Sequence, residues 1–491
     1  MFKEEQMGRI RLIFGLLAVI TIVLIASLGL SAYHHMGEKD SENFLAVYKG
    51  KVAGTKLDSC NLCHTGGSYV DSKGKTVTLG SCQWCHYKYG YDGSGDIKAT
   101  LNEYGAAYND NGRNTAAIRR IKKLDSDGDG FSNDAEIKAG RFPGDASDDP
   151  TKVYAPSVVY TREELEALPQ HTQFMLMNTT KSGDSYAEYS GVPMESLLAT
   201  ARISDTTTSI KVFAPDGFSQ YHPLEQDTGW YHVNGVYPAA TYHYTTTADA
   251  AINLVYGWCD YSAPSNAGRI DGDPIVVQDG LRMLLAIKRD GVYLTPGVLT
   301  PGNKLDGEGP YRVVTPQILE SPPDVASTSD YSQTAYWPYN STWDHNAGSA
   351  TRSTTIIKVE PLPPGTSDIN TYEAGWDYVD TGKIVVYGNI IRAVSINGDA
   401  GCTPVRSVNL TLNPPGTPEQ MFISNKGVIP KKSMVYDGSK QWKLKGLKGM
   451  KTISVWFKTG ETIQGPFASS IYFAKTCPTT QAAQGQSMTH Q

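Results

Sequence analysis

The sequence predicts a multidomain, mainly β protein with an N-terminal transmembrane helix, a small helical module, an α+β middle domain and a C-terminal immunoglobulin-like β-sandwich. Its length of 491 residues is sufficient for about three globular units. The 48 glycines, 27 prolines and 29 tyrosines, with only 19% charged residues, are typical of strands joined by turns. The net charge of −6 does not indicate nucleic-acid binding.

The N-terminal segment, residues 1–33, predicts export. Basic residues precede an uncharged run over residues 12–30, which is longer than the apolar part of a usual signal peptide and approaches a bilayer span. Positive charge before the run predicts a cytoplasmic N-terminus. We therefore expect an anchor in the cytoplasmic membrane, with the bulk of the chain periplasmic or extracellular. A cleaved signal is the alternative, because Ser31-Ala32 is a tolerable exit site.

Two Cys-x-x-Cys-His motifs lie between residues 60 and 86 in the predicted N-terminal module, residues 34–150. They consist of Cys60, Cys63 and His64, and of Cys82, Cys85 and His86. This pattern attaches haem c: the cysteines bind the porphyrin covalently, and the histidine after them ligates the iron. A four-cysteine zinc site is the alternative, but it does not need a histidine after each pair. We therefore predict two haem c groups close together, which favours electron transfer.

The sixth ligands of the two irons are not defined by a motif. The chain has ten histidines, and those nearest to the motifs in sequence are His34, His35 and His171. Ligation by one of them needs the least loop closure, so we predict at least one bis-histidine haem. A methionine or lysine ligand, or a five-coordinate iron, is an open alternative.

Residues 125–136 match a twelve-residue calcium-binding loop, with side-chain oxygens at positions 1, 3, 5, 9 and 12 and glycine at position 6. The predicted ligands are Asp125, Asp127, Asp129, the carbonyl of Phe131, Asn133 (directly or through water) and Glu136. Hard Ca²⁺ prefers such oxygens, and without it the aspartates would repel one another. An Asp/Gly-rich turn is the alternative. One loop by itself indicates a structural clamp rather than a calcium sensor.

Short helices are expected around this loop, over residues 115–123 and 134–139. A further helix is expected over residues 101–105, where Gly105 should end it. Little apolar sequence lies in the module, so the haems themselves are expected to form its core.

Residues 151–317 contain three patterns in a particular order. Gly191-Val192-Pro193 precedes a predicted helix, Ala214–Phe218 (Ala-Pro-Asp-Gly-Phe) ends a predicted strand, and Gly307–Val313 reads Gly-Glu-Gly-Pro-Tyr-Arg-Val. Before them, Thr161 begins a helix with a capping box. The order of the three patterns resembles the core of the sulfite-oxidase-type molybdopterin domain, over about a third of the chain.

One departure from that resemblance concerns the metal. The family binds molybdenum through a cysteine thiolate on the strand before the first pattern. Here that strand is residues 174–178, and no cysteine lies between Cys85 and Cys259. Phenylalanine or methionine does not replace a thiolate ligand, and basic residues for a pterin phosphate are sparse. We therefore expect this scaffold without its metal. With two haem motifs ahead of residues 306–310, the whole chain resembles the bacterial GEGP-motif-containing dihaem proteins, whose name implies no reaction.

The C-terminal third reads as strands and turns. Residues 318–370 are expected to form a linker or a covering loop, residues 371–477 the β-sandwich, and residues 478–491 a disordered tail. Of the three cysteines outside the haem motifs, Cys402 and Cys477 are the favoured disulfide pair, which leaves Cys259 free.

The leading functional hypothesis is an extracytoplasmic, membrane-anchored dihaem c-type cytochrome that transfers electrons between membrane or periplasmic redox proteins. No small-molecule substrate is expected for it. The first alternative is a sulfite-oxidase-like molybdopterin oxidoreductase with its own haem relay. The second is a binding or adhesion protein in which the haems are structural.

Overall fold

The computed structural model describes residues 38–48, 52–53, 55–70, 76–79, 81–89, 95–180, 183–226, 231–237, 243–244, 273–275, 277–300, 305–319, 321, 323–324, 340–370 and 375–477. The predicted anchor and tail, His34, His35 and Cys259 lie outside the described residues, as do the side chains of Cys82 and His86.

The described part of the chain is mainly β, with eight short α-helices. The helices are α1 (Glu38–Tyr48), α2 (Ser81–Tyr89), α3 (Glu103–Asp110), α4 (Thr115–Ile121), α5 (Asn133–Ala139), α6 (Arg162–Glu166), α7 (Met194–Ala201) and α8 (Trp376–Thr381). The first strands are β1 (Gly67–Val70), β2 (Thr76–Leu79), β3 (Val153–Tyr154), β4 (Ser157–Thr161), β5 (His171–Met177), β6 (Ser185–Pro193), β7 (Ser209–Phe213), β8 (Ser219–Pro223), β9 (His243–Tyr244), β10 (Asp273–Pro274), β11 (Leu284–Arg289), β12 (Val292–Tyr293), β13 (Val298–Leu299), β14 (Leu305–Asp306) and β15 (Arg312–Val314). The later strands are β16 (Ile356–Glu360), β17 (Thr366–Ser367), β18 (Lys383–Gly388), β19 (Val394–Ile396), β20 (Cys402–Thr403), β21 (Ser407–Leu412), β22 (Gln420–Ser424), β23 (Met434–Val435), β24 (Ser439–Lys443), β25 (Gly449–Thr459) and β26 (Thr462–Phe473).

The N-terminal helices pack around a small apolar core of their own. α1 and α3 both contact α4, and Phe44, Tyr104 and Ile118 are each at most 3% exposed. Leu62 of the first haem motif belongs to the same cluster, and Cys63 packs against it. The expectation that haem alone forms the core here is therefore wrong, because aromatic and aliphatic side chains already bury one side of the motif.

A five-stranded sheet forms the centre of the middle part, in the order β12-β11-β6-β5 with β15 paired to β11. A Cβ on Gly191 would lie 2.1 Å from the Leu285 carbonyl oxygen, so this glycine allows β6 and β11 to approach. α7 begins directly after Pro193, as the pattern predicts. The capping box is also confirmed: Thr161 Oγ accepts from Glu164 N–H, and the Glu164 carboxylate accepts from Thr161 N–H.

The largest sheet corrects the predicted fold class. It has ten strands, in the order β23-β22-β25-β26-β4-β18-β16-β7-β8, with β20 paired to β26. β26, from the predicted sandwich, pairs with β4 of the predicted middle domain, where Phe467 lies opposite Val158. β16, from residues 318–370, pairs with both β18 and β7. The prediction of an α+β domain beside a separate immunoglobulin-like sandwich is wrong, because one sheet and one apolar core extend through both regions.

A smaller sheet, β19-β21-β24, packs on the C-terminal end of this core. Val408 and Leu410 of β21 are at most 1% exposed, whereas the alternate residues Ser407, Asn409 and Thr411 face solvent. The predicted disulfide between Cys402 and Cys477 is confirmed, and it ties the end of the described chain to β20.

The predicted N-terminal transmembrane helix is the second correction to the fold class. No helix in the described ranges is long and apolar enough to cross a membrane. α1, with 11 residues, is about half the length that a bilayer requires. The apolar run over residues 12–30 lies outside the described residues.

A buried charge cluster joins the N-terminal module to the large β part. Lys56 and Arg141 are both 0% exposed, and both contact Asp148 and Ser367. Lys56 Nζ lies 2.5 Å from Asp148 Oδ2 and 3.1 Å from Ser367 Oγ. Ser367 belongs to β17, which pairs with β3. Because two cations are removed from water together, the fold depends on Asp148 to compensate their charge.

Replacing Asp148 by asparagine should lower the free energy of unfolding by about 3–5 kcal/mol, because two buried cations lose their carboxylate. Urea unfolding followed by tryptophan fluorescence measures the change. Glu461→Gln is the control: it removes the exposed partner of Lys458 and should leave the transition where it is. Coincident transitions for wild type and Asp148→Asn would contradict the assigned role of the cluster.

Candidate haem and calcium sites

The first haem motif lies on a 3₁₀ turn, Cys60–Leu62, that α3 holds in place. Asn102 Nδ2 donates to the carbonyls of Asn61 and Leu62, and Asn102 N–H donates to Cys63 O at 2.9 Å. A Cβ on Gly105 would lie 2.2 Å from Cys63 O. Gly105 does not end the helix, as the sequence suggested; it lies inside α3 and permits this close approach.

His64 is oriented by a hydrogen bond that fixes its tautomer. Its Nδ1 lies 2.8 Å from Thr100 Oγ1, and the Thr100 hydroxyl itself donates to Ile97 O at 2.7 Å. Because the hydroxyl proton is used, Thr100 accepts from Nδ1–H, and the lone pair of the imidazole lies on Nε2. Metal-ligating histidines have this arrangement, with the second N–H held by an acceptor. Burial lowers the pKa of His64, which favours the neutral ring.

The second motif lies on α2, which contacts the 3₁₀ turn of the first. Burial, and then Cys60, raise the pKa of Cys85. Burial raises the pKa of Cys63 to about 12. Cys63 and Cys85 form no disulfide with another described residue. The structure therefore brings the two predicted motifs together, although the side chains of Cys82 and His86 lie outside its described part.

The hairpin β1–β2 between the motifs supports an aromatic stack. The ring of Tyr87 stacks on Tyr69, with centroids 4.2 Å apart, and on Trp84 at 5.6 Å. A Cβ on Gly67 would lie only 2.3 Å from the Trp84 indole, so glycine lets the hairpin pack flat against α2. β2 also contacts β8 of the ten-stranded sheet. The hairpin beside the second motif therefore also contacts the large β part.

His171 is the predicted sixth ligand that lies within the described residues. It begins β5, and its Nε2 lies 2.9 Å from the Gly280 carbonyl oxygen. A carbonyl only accepts, so Nε2 donates and the lone pair lies on Nδ1. Ligation of an iron by His171 stays a prediction, and it would have to use Nδ1.

The calcium loop has the backbone that its sequence predicts. Asp125, at position 1, accepts from Gly128 N–H at 2.8 Å and from Gly130 N–H at 2.9 Å. Both glycines have positive φ, 78° and 95°, which favours glycine there. Asp129 accepts from Phe131 N–H at 2.8 Å. The loop leads directly into α5.

The loop gathers carboxylate oxygens without donors. Oxygens of Asp125, Asp127 and Asp129 lie within 4.8 Å of one another. Both oxygens of Asp127 and of Glu136, and Oδ2 of Asp129, are buried with no hydrogen-bond partner among the described residues. Glu136 is 0% exposed, and burial together with the loop aspartates raises its pKa to about 9. Burial, then Asp129, raise the pKa of Asp127 to about 6. These oxygens fit a hard divalent cation, which would supply the missing positive charge.

Two polar residues of the loop serve its structure. The Asn133 side chain, a predicted ligand, donates to Ile121 O and Ser126 Oγ and accepts from Ser126 N–H. Because protein groups already use its amide, Asn133 at position 9 is better placed to bind calcium through a water molecule than directly. The Asp134 carboxylate forms an ion pair with Lys138 on the next turn of α5.

Calcium should raise the melting temperature of the wild-type protein, with a gain of about 2.7 kcal/mol at a hundredfold excess over Kd. Glu136→Gln removes a buried anionic ligand and should abolish this gain. Asp134→Asn, the matched control in the same loop, should retain it. Scanning fluorimetry with CaCl₂ and with chelator measures the shift. Identical wild-type melting curves under both conditions would refute calcium binding.

The GEGP pattern forms one wall of a cavity beside the end of β5. Glu308 pairs with Arg289 at 3.1 Å and with Arg312 at 3.0 Å. Burial opposes ionisation, but Arg312 and Arg289 hold the pKa of Glu308 below its usual value. A Cβ on Gly309 would lie 2.4 Å from Leu294 O, so the second glycine is required for close packing. The pattern thus places one carboxylate between two guanidinium groups.

The cavity has a volume of about 370 Å³. Its lining comprises Met177, Thr179, Thr180, Gly183, Asp184, Ser185, Arg289, Glu308, Arg312, Ala347, Gly348, Ala350 and Arg352. Met177 ends the strand on which the resemblance places the molybdenum cysteine, and none of the described lining residues is a cysteine. The lining therefore does not fit a thiolate-bound molybdenum. Three arginines line the cavity, so the expectation that basic residues are sparse is wrong here.

Comparison with known proteins gives little further guidance. No protein-family model and no curated protein matches the sequence. Among solved structures, one match is the sulfane dehydrogenase SoxCD from Paracoccus pantotrophus, at 12% identity and a TM-score of 0.21. The match covers 62% of this chain and 64% of that one, which is less than two thirds of its length. A similarity this low decides neither the fold family nor the function.

Proposed function

We propose that the protein is an extracytoplasmic dihaem c-type cytochrome that transfers single electrons between redox proteins. The observation that supports this best is the pair of Cys-x-x-Cys-His motifs on neighbouring elements, with the tautomer of His64 fixed for metal ligation. Haem c would supply the one-electron chemistry. The residues that would attach the haems and ligate the irons are Cys60, Cys63, His64, Cys82, Cys85 and His86.

Two further observations fit this proposal. Tyr87, beside the second motif, is 49% exposed, so a redox partner has access to this side of the module. Covalent haem attachment takes place outside the bacterial cytoplasm, where disulfides also persist, and the Cys402–Cys477 disulfide agrees with such a location.

Calcium is proposed as a second resident group with a structural role. α5 carries Glu136, and Arg141 N–H donates to Glu136 O at 2.9 Å. The Arg141 side chain then enters the buried charge cluster with Asp148. Calcium in the loop would therefore fix the position of α5 and, through it, the contact between the module and the β part.

The purified protein should contain two covalent haems per chain. The double variants Cys60→Ala/Cys63→Ala and Cys82→Ala/Cys85→Ala should each lose one, because a haem without its cysteines is not covalently held. A pyridine haemochrome assay after acid–acetone extraction counts the haems, and Cys259→Ser should keep both. Stoichiometric zinc without haem would establish the alternative metal site instead.

Thr100→Val should raise the midpoint potential of one haem. In the wild type, the acceptor at Nδ1–H makes the His64 ring a stronger ligand, which favours the oxidised iron. Valine removes that acceptor. A hydrogen bond of about 1 kcal/mol corresponds to about 40 mV for one electron. Spectroelectrochemical titration measures the shift. Thr100→Ser keeps the hydroxyl and should retain the wild-type potential; equal potentials in all three proteins would refute this role of Thr100.

A sulfite-oxidase-like oxidoreductase is the second candidate. Arginines line the cavity at the end of β5, but none of its described lining residues supplies a thiolate for molybdenum. It requires molybdenum in the purified protein, whereas the electron-transfer proposal requires only iron and calcium. Metal analysis separates the two. Haems that show no reversible redox titration would instead favour a binding protein with structural haems.

A further inference from the structure

The C-terminal β part has a strongly basic end. Between residues 425 and 458 the chain has nine lysines and one acidic residue, Asp437, a net charge of +8 in a chain whose total is −6. Three loops lie at this end: residues 405–406, 425–433 and 444–448, together called the basic loop end.

Hydrogen bonds hold the three loops side by side. Asn425 Nδ2 donates to Lys443 O at 3.3 Å, which links the second loop to the start of the third. Leu444 N–H donates to Arg406 O at 2.8 Å, and the Arg406 guanidinium donates to Gly446 O at 2.7 Å. The loops therefore form one supported surface, and Arg406 is used to build it.

The five lysines within the three loops are all exposed: Lys426, Lys431, Lys432, Lys445 and Lys448. None of them forms an ion pair with a described carboxylate, whereas Lys458 on the neighbouring strand pairs with Glu461 at 3.4 Å. A merely solvated surface would account for these charges, but not for the apolar side chains among them.

Aliphatic side chains protrude from each of the three loops. Val405 is 56% exposed, Val428 68% and Leu447 84%. Single exposed apolar residues are ordinary, but here one stands in every loop, with a lysine or arginine within two residues of it. Such a surface matches the boundary of a lipid bilayer, where aliphatic groups enter the acyl region and lysines extend to the phosphates.

The composition favours lipid over an acidic protein. Protein interfaces are enriched in arginine, tyrosine and tryptophan and depleted in lysine. The three loops contain no aromatic residue, and their one arginine holds a neighbouring carbonyl. The flexible lysine ammonium is a point charge that suits a fluid array of phosphates.

We propose that the basic loop end binds the surface of anionic phospholipid bilayers. Its lysines contact lipid phosphates, and Val428 and Leu447 enter the interface. The contact holds the β part against a membrane, and it does not depend on the haem or calcium assignments.

Peptide-resolved hydrogen exchange of the full chain tests this proposal. It measures protection in each loop separately, so lipid binding by another part of the chain does not obscure the result. Phosphatidylcholine vesicles containing phosphatidylglycerol should slow exchange in residues 425–433 and 444–448. Pure phosphatidylcholine vesicles should not, and high salt should reverse the effect. Equal protection by both kinds of vesicle would overturn the proposal. Protection of the loops by polyglutamate but not by anionic vesicles would also overturn it, in favour of an acidic polypeptide.

Charge variants give the quantitative test. The triple variant Lys431→Gln/Lys432→Gln/Lys448→Gln should weaken binding of the loops to anionic vesicles by about fivefold per lysine, roughly a hundredfold in total. The affinity is read from the vesicle concentration at which the loops become protected from exchange. Leu447→Ser should also weaken it. The matched control, Lys39→Gln/Lys98→Gln/Lys123→Gln, removes the same charge from exposed sites elsewhere and should leave the protection intact. Equal losses in the two triple variants would overturn a contact specific to this surface.

Discussion

The buried cluster of Lys56, Arg141 and Asp148 is the interaction on which the arrangement of this protein depends. Lys56 precedes the first haem motif, and Arg141 follows the helix of the calcium loop. Both meet Ser367 of β17, which belongs to the large β part. Charges removed from water tolerate few alternative geometries, because each displaced partner leaves a buried charge uncompensated. One cluster therefore fixes the haem-motif segment, the calcium loop and the β part relative to one another.

The two candidate metal sites are built on one small core. Asn102 clamps the backbone of the first motif onto α3, and Asn133 ties the calcium loop to the end of α4. Both α3 and α4 contribute buried side chains to the same apolar cluster. Ordering of the loop by a cation would thus be transmitted to the motif through packed helices, without any direct contact between the sites.

The patterns that resemble the sulfite-oxidase-type domain have a structural explanation in this chain. Gly191 allows two strands to approach, and Gly309 allows close packing against Leu294. Glu308 compensates two arginines. These are requirements of backbone geometry and charge balance, and they hold with or without a metal. Patterns of this kind therefore indicate a scaffold, whereas the chemistry depends on the side chains that line the cavity.

The sequence by itself determined the local features: both Cys-x-x-Cys-His motifs, the turn geometry of the acidic loop at residues 125–136 with its glycines, and the capping box at Thr161. These depend on spacing within a few residues, where covalent chemistry and backbone sterics leave little choice. Only the tertiary structure decided that β26 pairs with β4, that Thr100 fixes the tautomer of His64, and that Asp148 balances two buried cations. Such contacts join residues that are distant in sequence, as Lys56 and Ser367 are, and no local pattern encodes which partners meet, because the choice is made by the packing of the whole core.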